Sequence, residues 1–166
     1  MSDLTDTDLR HLRRCVELAH AAYDGGDEPF GSVLVGADGE VLFEDHNRTQ
    51  DGDQTRHPEF EIARWAGTHV PPDKRSGCTV YTSGEHCPMC SAAHGWAGLG
   101  RIVYAVSTEQ LNGWRAEWGL PSGPVLPLAV NALVPDLPVA GPAPELLDEM
   151  RELHRRQAER GRSSAG

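Results

Sequence analysis

Two short segments of this chain concentrate the side chains that do chemistry: His57-Pro58-Glu59 and Cys87-Pro88-Met89-Cys90. One imidazole and two thiolates form a donor set suited to zinc. A structural zinc site closes with four protein ligands, whereas a catalytic one uses three and leaves a position for water. His57, Cys87 and Cys90 supply three, and Glu59 is a carboxylate surplus to the set. Zinc lowers the pKa of its water to about 7, and a nearby carboxylate can take that proton and return it to a leaving nitrogen. Those parts suffice for hydrolytic removal of an amino group from an aromatic ring.

A closed zinc knuckle is the competing reading. It would recruit His86 or His94 as a fourth ligand, and it leaves Glu59 without a role. Otherwise His86 reads as an exposed loop histidine, and His46, His69 and His94 as surface or packing residues. Each ligand segment carries proline directly after a ligand. Proline at the first helical position sacrifices no hydrogen bond, because that N–H has no partner within the helix. His57 and Cys87 are therefore expected at the starts of two helices, with Cys87 and Cys90 on one side of theirs. Helix N-termini favour negative charge, which helps hold cysteines as thiolates.

The elements that must position these residues follow from periodicity. Leu9, Leu12, Val16, Ala19 and Tyr23 recur at helical steps and predict a first helix over 7–23, ended by Gly25-Gly26. Residues 32–35 and 41–44 flank Gly36-Ala37-Asp38-Gly39 as a β-hairpin. A polar loop over 51–55 precedes a helix that starts at Pro58 and stops near Gly67; residues 70–77 read as a loop. A short strand over 79–82, a helix opening at Pro88, a strand over 101–106 and a helix over 108–118, weakened by Gly113, come next. Prolines then break up the chain, with one strand expected over 128–134. A charged helix over 145–160 carries the apolar stripe Leu146, Leu147, Met150 and Leu153. This alternation indicates an α/β sheet covered by helices, in one domain over 1–166 whose segment 121–166 is a Pro-rich stretch and C-terminal helix.

Composition narrows the class. Hydrophobic residues make up 39% of 166, with no apolar run near the roughly 20 residues of a membrane span. The segment Met1–Asp8 is acidic and lacks the pattern of a signal peptide, so a cytoplasmic protein is the default. The four cysteines could form two disulfides, but two lie three apart beside a proline, and metal binding is the better reading in a reducing compartment. Cys15 and Cys78 read as small buried hydrophobes. Fifteen Lys and Arg against 25 Asp and Glu leave a net charge of −10. That sign opposes dependence on phosphate contacts and counts against nucleic acid as partner.

From Glu28-Pro29-Phe30-Gly31-Ser32-Val33-Leu34-Val35 to about Val106, the chain resembles the cytidine deaminase-like superfamily, and within it the guanine deaminase and tRNA adenosine deaminase branches. The usual D-P-T-x-H-A-E stands here as Asp53-Gln54-Thr55-Arg56-His57-Pro58-Glu59. The usual T-S-x-E-P-C-P-M-C stands as Thr82-Ser83-Gly84-Glu85-His86-Cys87-Pro88-Met89-Cys90. The resemblance implies a three-layer α/β/α fold with a central mixed sheet, and zinc held by His57, Cys87 and Cys90 with water as the fourth ligand. It implies Glu59 as proton shuttle and a homodimer or larger assembly. It also matches Asn47 to a base-binding asparagine, Phe30 to the pocket wall and Trp96 to an aromatic bordering the pocket. A turn former, a core phenylalanine and an interface tryptophan are the respective alternatives.

Two departures matter. The family residue between His and Glu usually offers its N–H to the base, and Pro58 has none. His86 replaces a proline and sets a titratable ring beside the metal. On the far side of a base, Glu117 between Trp114 and Trp118 is a candidate clamp, an exposed helix residue being its alternative. No tyrosine follows Tyr104, so a C-terminal tyrosine clamp is not available. The leading reading is a zinc-dependent deaminase of a free amino-substituted nucleobase or related heterocycle, of the guanine, cytosine, 5-azacytosine or s-triazine type. The alternative is a tRNA-editing adenosine deaminase, kept open by Arg151, His154, Arg155, Arg156, Arg160 and Arg162. A zinc-stabilised interaction module is the non-enzymatic reading.

Overall fold

The computed structural model describes residues 4–165; Met1–Asp3, part of the acidic N-terminal segment, and Gly166 lie outside the described residues. In chain order the elements are α1 (Asp6–Asp24), β1 (Gly31–Val35), β2 (Val41–His46), α2 (Pro58–His69), a 3-10 helix (Pro72–Gly77), β3 (Thr79–Gly84), α3 (Pro88–Ala97), β4 (Ile102–Val106), α4 (Thr108–Glu117), α5 (Val130–Leu133), β5 (Val139–Ala140) and α6 (Pro144–Ser164). The strands are ordered β2-β1-β3-β4-β5. β1 runs antiparallel to β2 and β3, while β3, β4 and β5 run parallel. This is the mixed sheet flanked by helices that the resemblance implied.

Alternation along the strands gives the sheet two dry faces. Val33, Val35, Tyr81, Val103 and Ala105 join the apolar stripes of α1 and α6 in one core. Leu34, Val80 and Ile102 join Ile62, Ala63 and Ala66 of α2 in the other. The expected stripe of α6 supplies Leu146, Met150 and Leu153 to the first core, with Leu147 packed at its margin. Gly31 is where α1 lies directly on β1: a Cβ there would stand 2.4 Å from Leu18 Cβ. No helix among the described residues is long and apolar enough to cross a membrane.

Three expectations change. Residues 128–134 form no strand. They hold the short α5, because the Glu85 carboxylate accepts from Val130 N (2.9 Å) and Asn131 Nδ2 donates to the carbonyls of Val134 and Leu137. The last strand is instead Val139–Ala140. α2 continues past Gly67 to His69, the glycine being exposed with open space where a Cβ would lie. The expected loop over 70–77 contains a 3-10 helix begun by Pro72.

One buried carboxylate joins α1 to the sheet. Asp8 accepts from Thr5 N in a reciprocal capping box, from Tyr81 Oη at 3.0 Å and from both terminal nitrogens of Arg101. Burial would raise its pKa, but the Arg101 guanidinium, the Thr5 bonds and Tyr81 outweigh that and hold it down to about 2 from 3.8. The stabilisation is therefore present above the ordinary carboxylate pKa and lost as pH falls through about 2. Asp8→Asn is expected to lower unfolding free energy by about 2 kcal/mol at pH 7. Denaturant titrations from pH 7 to pH 2.5 check it: the gap should narrow with acid, and an undiminished gap would show that the charge is not its source.

Candidate active site

The two prolines place the two ligand segments as expected. His57 and Cys87 are the N-cap residues of α2 and α3, each with extended backbone and no capping bond from its side chain, and Pro58 and Pro88 follow them. Their side chains are thus free to face one another. Cys87 Sγ lies 3.5 Å from Cys90 Sγ and 3.7 Å from His57 Nδ1, and Cys90 Sγ lies 3.6 Å from His57 Nδ1. These three form the candidate metal group among the described residues. A tetrahedral zinc with ordinary bonds would separate two sulfurs by about 3.8 Å and sulfur from nitrogen by about 3.6 Å. The donors stand at that spacing, so the residues fit zinc.

The electrostatics agree. A hydrogen bond shared with Cys90, helped by His57, holds the Cys87 thiol down to about 4 despite burial. The Phe60 N–H in the first turn of α2 bonds to Cys90, so the dipole of one helix serves a ligand carried by the other. Burial opposes charge on His57, but the bond to Cys87 and the charges of Glu59, Cys87 and Glu28 raise its pKa.

Glu59 stands beside this group as a buried carboxylate, 5% exposed. Its Oε2 lies 3.8 Å from Cys90 Sγ, and its Oε1 lies 2.9 Å from Thr82 Oγ1, which accepts from Ser32 Oγ. Burial pushes its pKa up, with His57 and the Thr82 hydroxyl acting against it. A raised carboxyl is better matched to proton transfer near neutrality.

The remaining candidates are placed as follows. Asn47 is 1% exposed; its N donates to Phe30 O (3.0 Å), and its Oδ1 is buried without a partner. Phe30 is half-buried and presses against Gly84, where a Cβ would lie 2.9 Å from its ring. Pro58 is buried at the first position of α2. Trp96 stands on α3 with 92% of its surface exposed. Glu117 ends α4 and accepts from Arg151 of α6 at 2.7 Å. Trp114 and Trp118 sit one turn apart, 6.4 Å between centroids, Trp114 packing at the α1–α6 core and Trp118 under Arg151.

His86 corrects an expectation. It is not an exposed loop residue but is fully buried, its ring edge-on to that of His94 at 5.4 Å, and burial pushes its pKa well down. The chain turns inward there because Glu85 is fixed on both sides. Its N donates to Val106 O, and its carboxylate accepts from Thr108 N and Val130 N. His94, read as surface or packing, is the latter: Nε2 lies 2.7 Å from Gly100 O. Thr82, Glu85 and Glu28 were not singled out from sequence, although Thr82 and Glu85 lie inside the second motif.

The donor spacing yields a direct expectation. Cys90→Ala leaves two ligands of three, so the purified variant should lose most of the one zinc per chain that elemental analysis finds in the wild type. A variant that holds a full equivalent through dialysis against a chelator would overturn the assignment.

Comparison with known proteins identifies the family. A "Probable cytosine deaminase" of Schizosaccharomyces pombe is 36% identical over 111 residues, 66% of this chain and 67% of that protein. A tRNA-specific adenosine deaminase of Agrobacterium fabrum is 34% identical over 87 residues, 52% of this chain and 57% of its own length. A structure of guanine deaminase from Nitrosomonas europaea superposes with a TM-score of 0.70 at 19% identity, covering 96% of this chain and 87% of its own, and shares the fold. Residues 5–106 match the family described as "Cytidine and deoxycytidylate deaminase zinc-binding region". The chain belongs to this zinc-binding deaminase family and is an enzyme of hydrolytic deamination.

Proposed function

We propose that the chain deaminates a free amino-substituted heterocycle of the guanine, cytosine, 5-azacytosine or s-triazine type and releases ammonia. The observation that carries it is Glu59: a buried carboxylate beside the ligands, fixed at one oxygen and surplus to the metal. Zinc bound there supplies Lewis acidity to a coordinated water. Thr82 fixes Oε1 of Glu59, leaving Oε2 on the Cys90 side to take the water's proton and give it to the departing nitrogen. Asn47 Oδ1 offers an acceptor to the base, and Phe30 forms one wall. Trp96 is open to solvent and offers apolar surface to the homodimer this reading retains.

The tRNA reading is supported by the Agrobacterium relative. It requires free cations, and the C-terminal arginines are engaged within the chain. Arg151 binds Glu117, Arg155 binds Glu152 and Glu159, Arg160 donates to Tyr23 O and Asp27 O, and Arg162 donates to Trp118 O. Arg156 lies over the Tyr23 ring. Together with the net charge of −10, this favours a small neutral ring over a phosphate backbone.

Three outcomes follow from this reading. Glu59→Gln should keep its zinc and fold yet lose turnover by about 10²- to 10⁴-fold; near wild-type ammonia release would sink the mechanism. Free bases should be turned over with little salt dependence. Inosine formation in a tRNA stem-loop that falls steeply with salt, without turnover of any base, would favour the alternative. Pro58→Ala restores a backbone donor whose absence leaves a substrate carbonyl unpaired. It should shift relative kcat/KM toward guanine or cytosine, away from aza-substituted rings, by about 10-fold, or about 1.4 kcal/mol. Identical ratios in the two enzymes would refute that role for Pro58.

A further inference from the structure

The C-terminal helix brings a side chain to this end of the sheet that the deamination chemistry does not use. His154, on α6, is 7% exposed. Its ring packs on Phe30 at 5.1 Å between centroids and lies 6.4 Å from Trp114 of α4. Its Nε2 is buried and has no hydrogen-bond partner. Buried polar atoms are nearly always paired, so one that is not calls for an explanation.

The surroundings tie this nitrogen to the catalytic end of the fold. Phe30 touches Gly84, three residues before Cys87, and its carbonyl receives Asn47 N. Glu28, two residues before Phe30, acts electrostatically on His57 and pairs with Arg115 at 3.5 Å. Arg115 adjoins Trp114 in sequence and acts in turn on His154. Residues from the α1–β1 loop, α4 and α6 thus meet beside the strand ends that carry the ligands. Among the described residues the buried side-chain atoms without a partner are His86 Nδ1 and Nε2 and His94 Nδ1, whose rings meet each other, and Asn47 Oδ1 and His154 Nε2, whose residues both contact Phe30.

Resting on the free-base reading above, we propose that His154 is a specificity-determining residue whose Nε2 hydrogen-bonds the substrate ring on the edge opposite the amino group that is removed. The triad and Glu59 take the amino-bearing edge from the side of α2 and α3. α6 lies against the other sheet face and reaches the ring from the far side. Burial and the Arg115 charge push the pKa of His154 down to about 3, so its ring is neutral across the physiological range. A neutral imidazole offers one donor and one acceptor, and the tautomer decides which of them Nε2 presents. Phe30 and Trp114, packed against the same ring, give a flat heterocycle aromatic surface to meet. A site built around such a bond rejects analogues that lack the matching group.

The test measures kcat/KM for two pairs of bases altered on that edge: guanine with 7-deazaguanine, and cytosine with 1-methylcytosine. Wild type, His154→Phe and His154→Gln are compared, with zinc content and thermal unfolding measured on each. In the pair it turns over, the wild type should prefer the parent base by about 10-fold or more. His154→Phe should retain zinc and lose that preference, and His154→Gln, which keeps a donor and an acceptor, should recover most of it. A preference unchanged in His154→Phe, or a loss equal for both members of the pair, would overturn the proposal and leave His154 a packing residue. If the phenylalanine variant does not fold, His154→Leu takes its place: a preference lost in it supports the proposal, and an unchanged one refutes it. A wild type inactive on these four bases, on 5-azacytosine and on an amino-s-triazine would instead overturn the free-base reading.

Discussion

Two helix N-termini have to present their capping residues to one small volume, and the sheet is what makes that geometry affordable. α2 follows β2 and α3 follows β3, and β1 separates those strands. Ser32 of β1 pairs with Asp45 on one side and Thr82 on the other. Strands lie about 4.8 Å apart, so β2 and β3 are about 10 Å apart. Two packed helices need a similar distance between axes, about 8–10 Å. Helices that rise from these two strands onto one sheet face therefore pack side by side without distortion, and α2 and α3 do. Their first turns then stand level, and residues 57, 87 and 90 close to within 3.5–3.7 Å of one another.

Placing a carboxylate beside two cysteines is costly, and the adjoining sequence shows how that cost is met. Glu59 is buried against Cys90, where burial and thiolate charge both disfavour its ionised form. The compensation is a chain of hydroxyls across the sheet, from Ser32 on β1 through Thr82 on β3 to Glu59 Oε1. Both hydroxyls sit on strand positions that pair with each other. The register of β1 with β3 thus sets the orientation of the Glu59 carboxylate. Glu85 plays the corresponding part for the cysteines, anchoring the turn before Cys87 to β4, α4 and α5 at once.

Legibility in the sequence followed the range of the interaction. The ligands and Glu59 could be read because their relation is local: a ligand, a proline, and a helix start within three residues. The strands and long helices could be read because periodicity reports burial on one face. What could not be read depends on contacts between distant segments. α5 exists where a strand was expected because a carboxylate 45 residues earlier caps its first N–H. His86 is buried because Glu85 is held from three directions. Glu117, placed between two tryptophans by spacing, is drawn to Arg151 by the packing of α4 on α6. In the sequence His154 read only as one member of a basic C-terminal cluster, since its neighbours come from the α1–β1 loop and α4.

That division of range also divides the labour of the site. The family match ends at Val106, and the candidate ligands His57, Cys87 and Cys90 lie before it together with Glu59 and Thr82. α4 and α6 follow it, and they bring Trp114, Arg115 and His154 to the same strand ends. The two parts touch through Phe30 and Glu28 before β1, through Glu85 before Cys87, and through the core that α6 shares with α1. On the reading proposed above, a substitution in α6 would alter the surface met by the far edge of a ring, whereas one at the start of α4 also bears on the turn that carries Cys87. In the proposed function Pro58 is the exception, because it would serve both parts: it fixes the start of the ligand-bearing helix and, by lacking an N–H, would withhold a donor from the substrate. Selection for a different base at that position meets a structural constraint that selection in α6 does not.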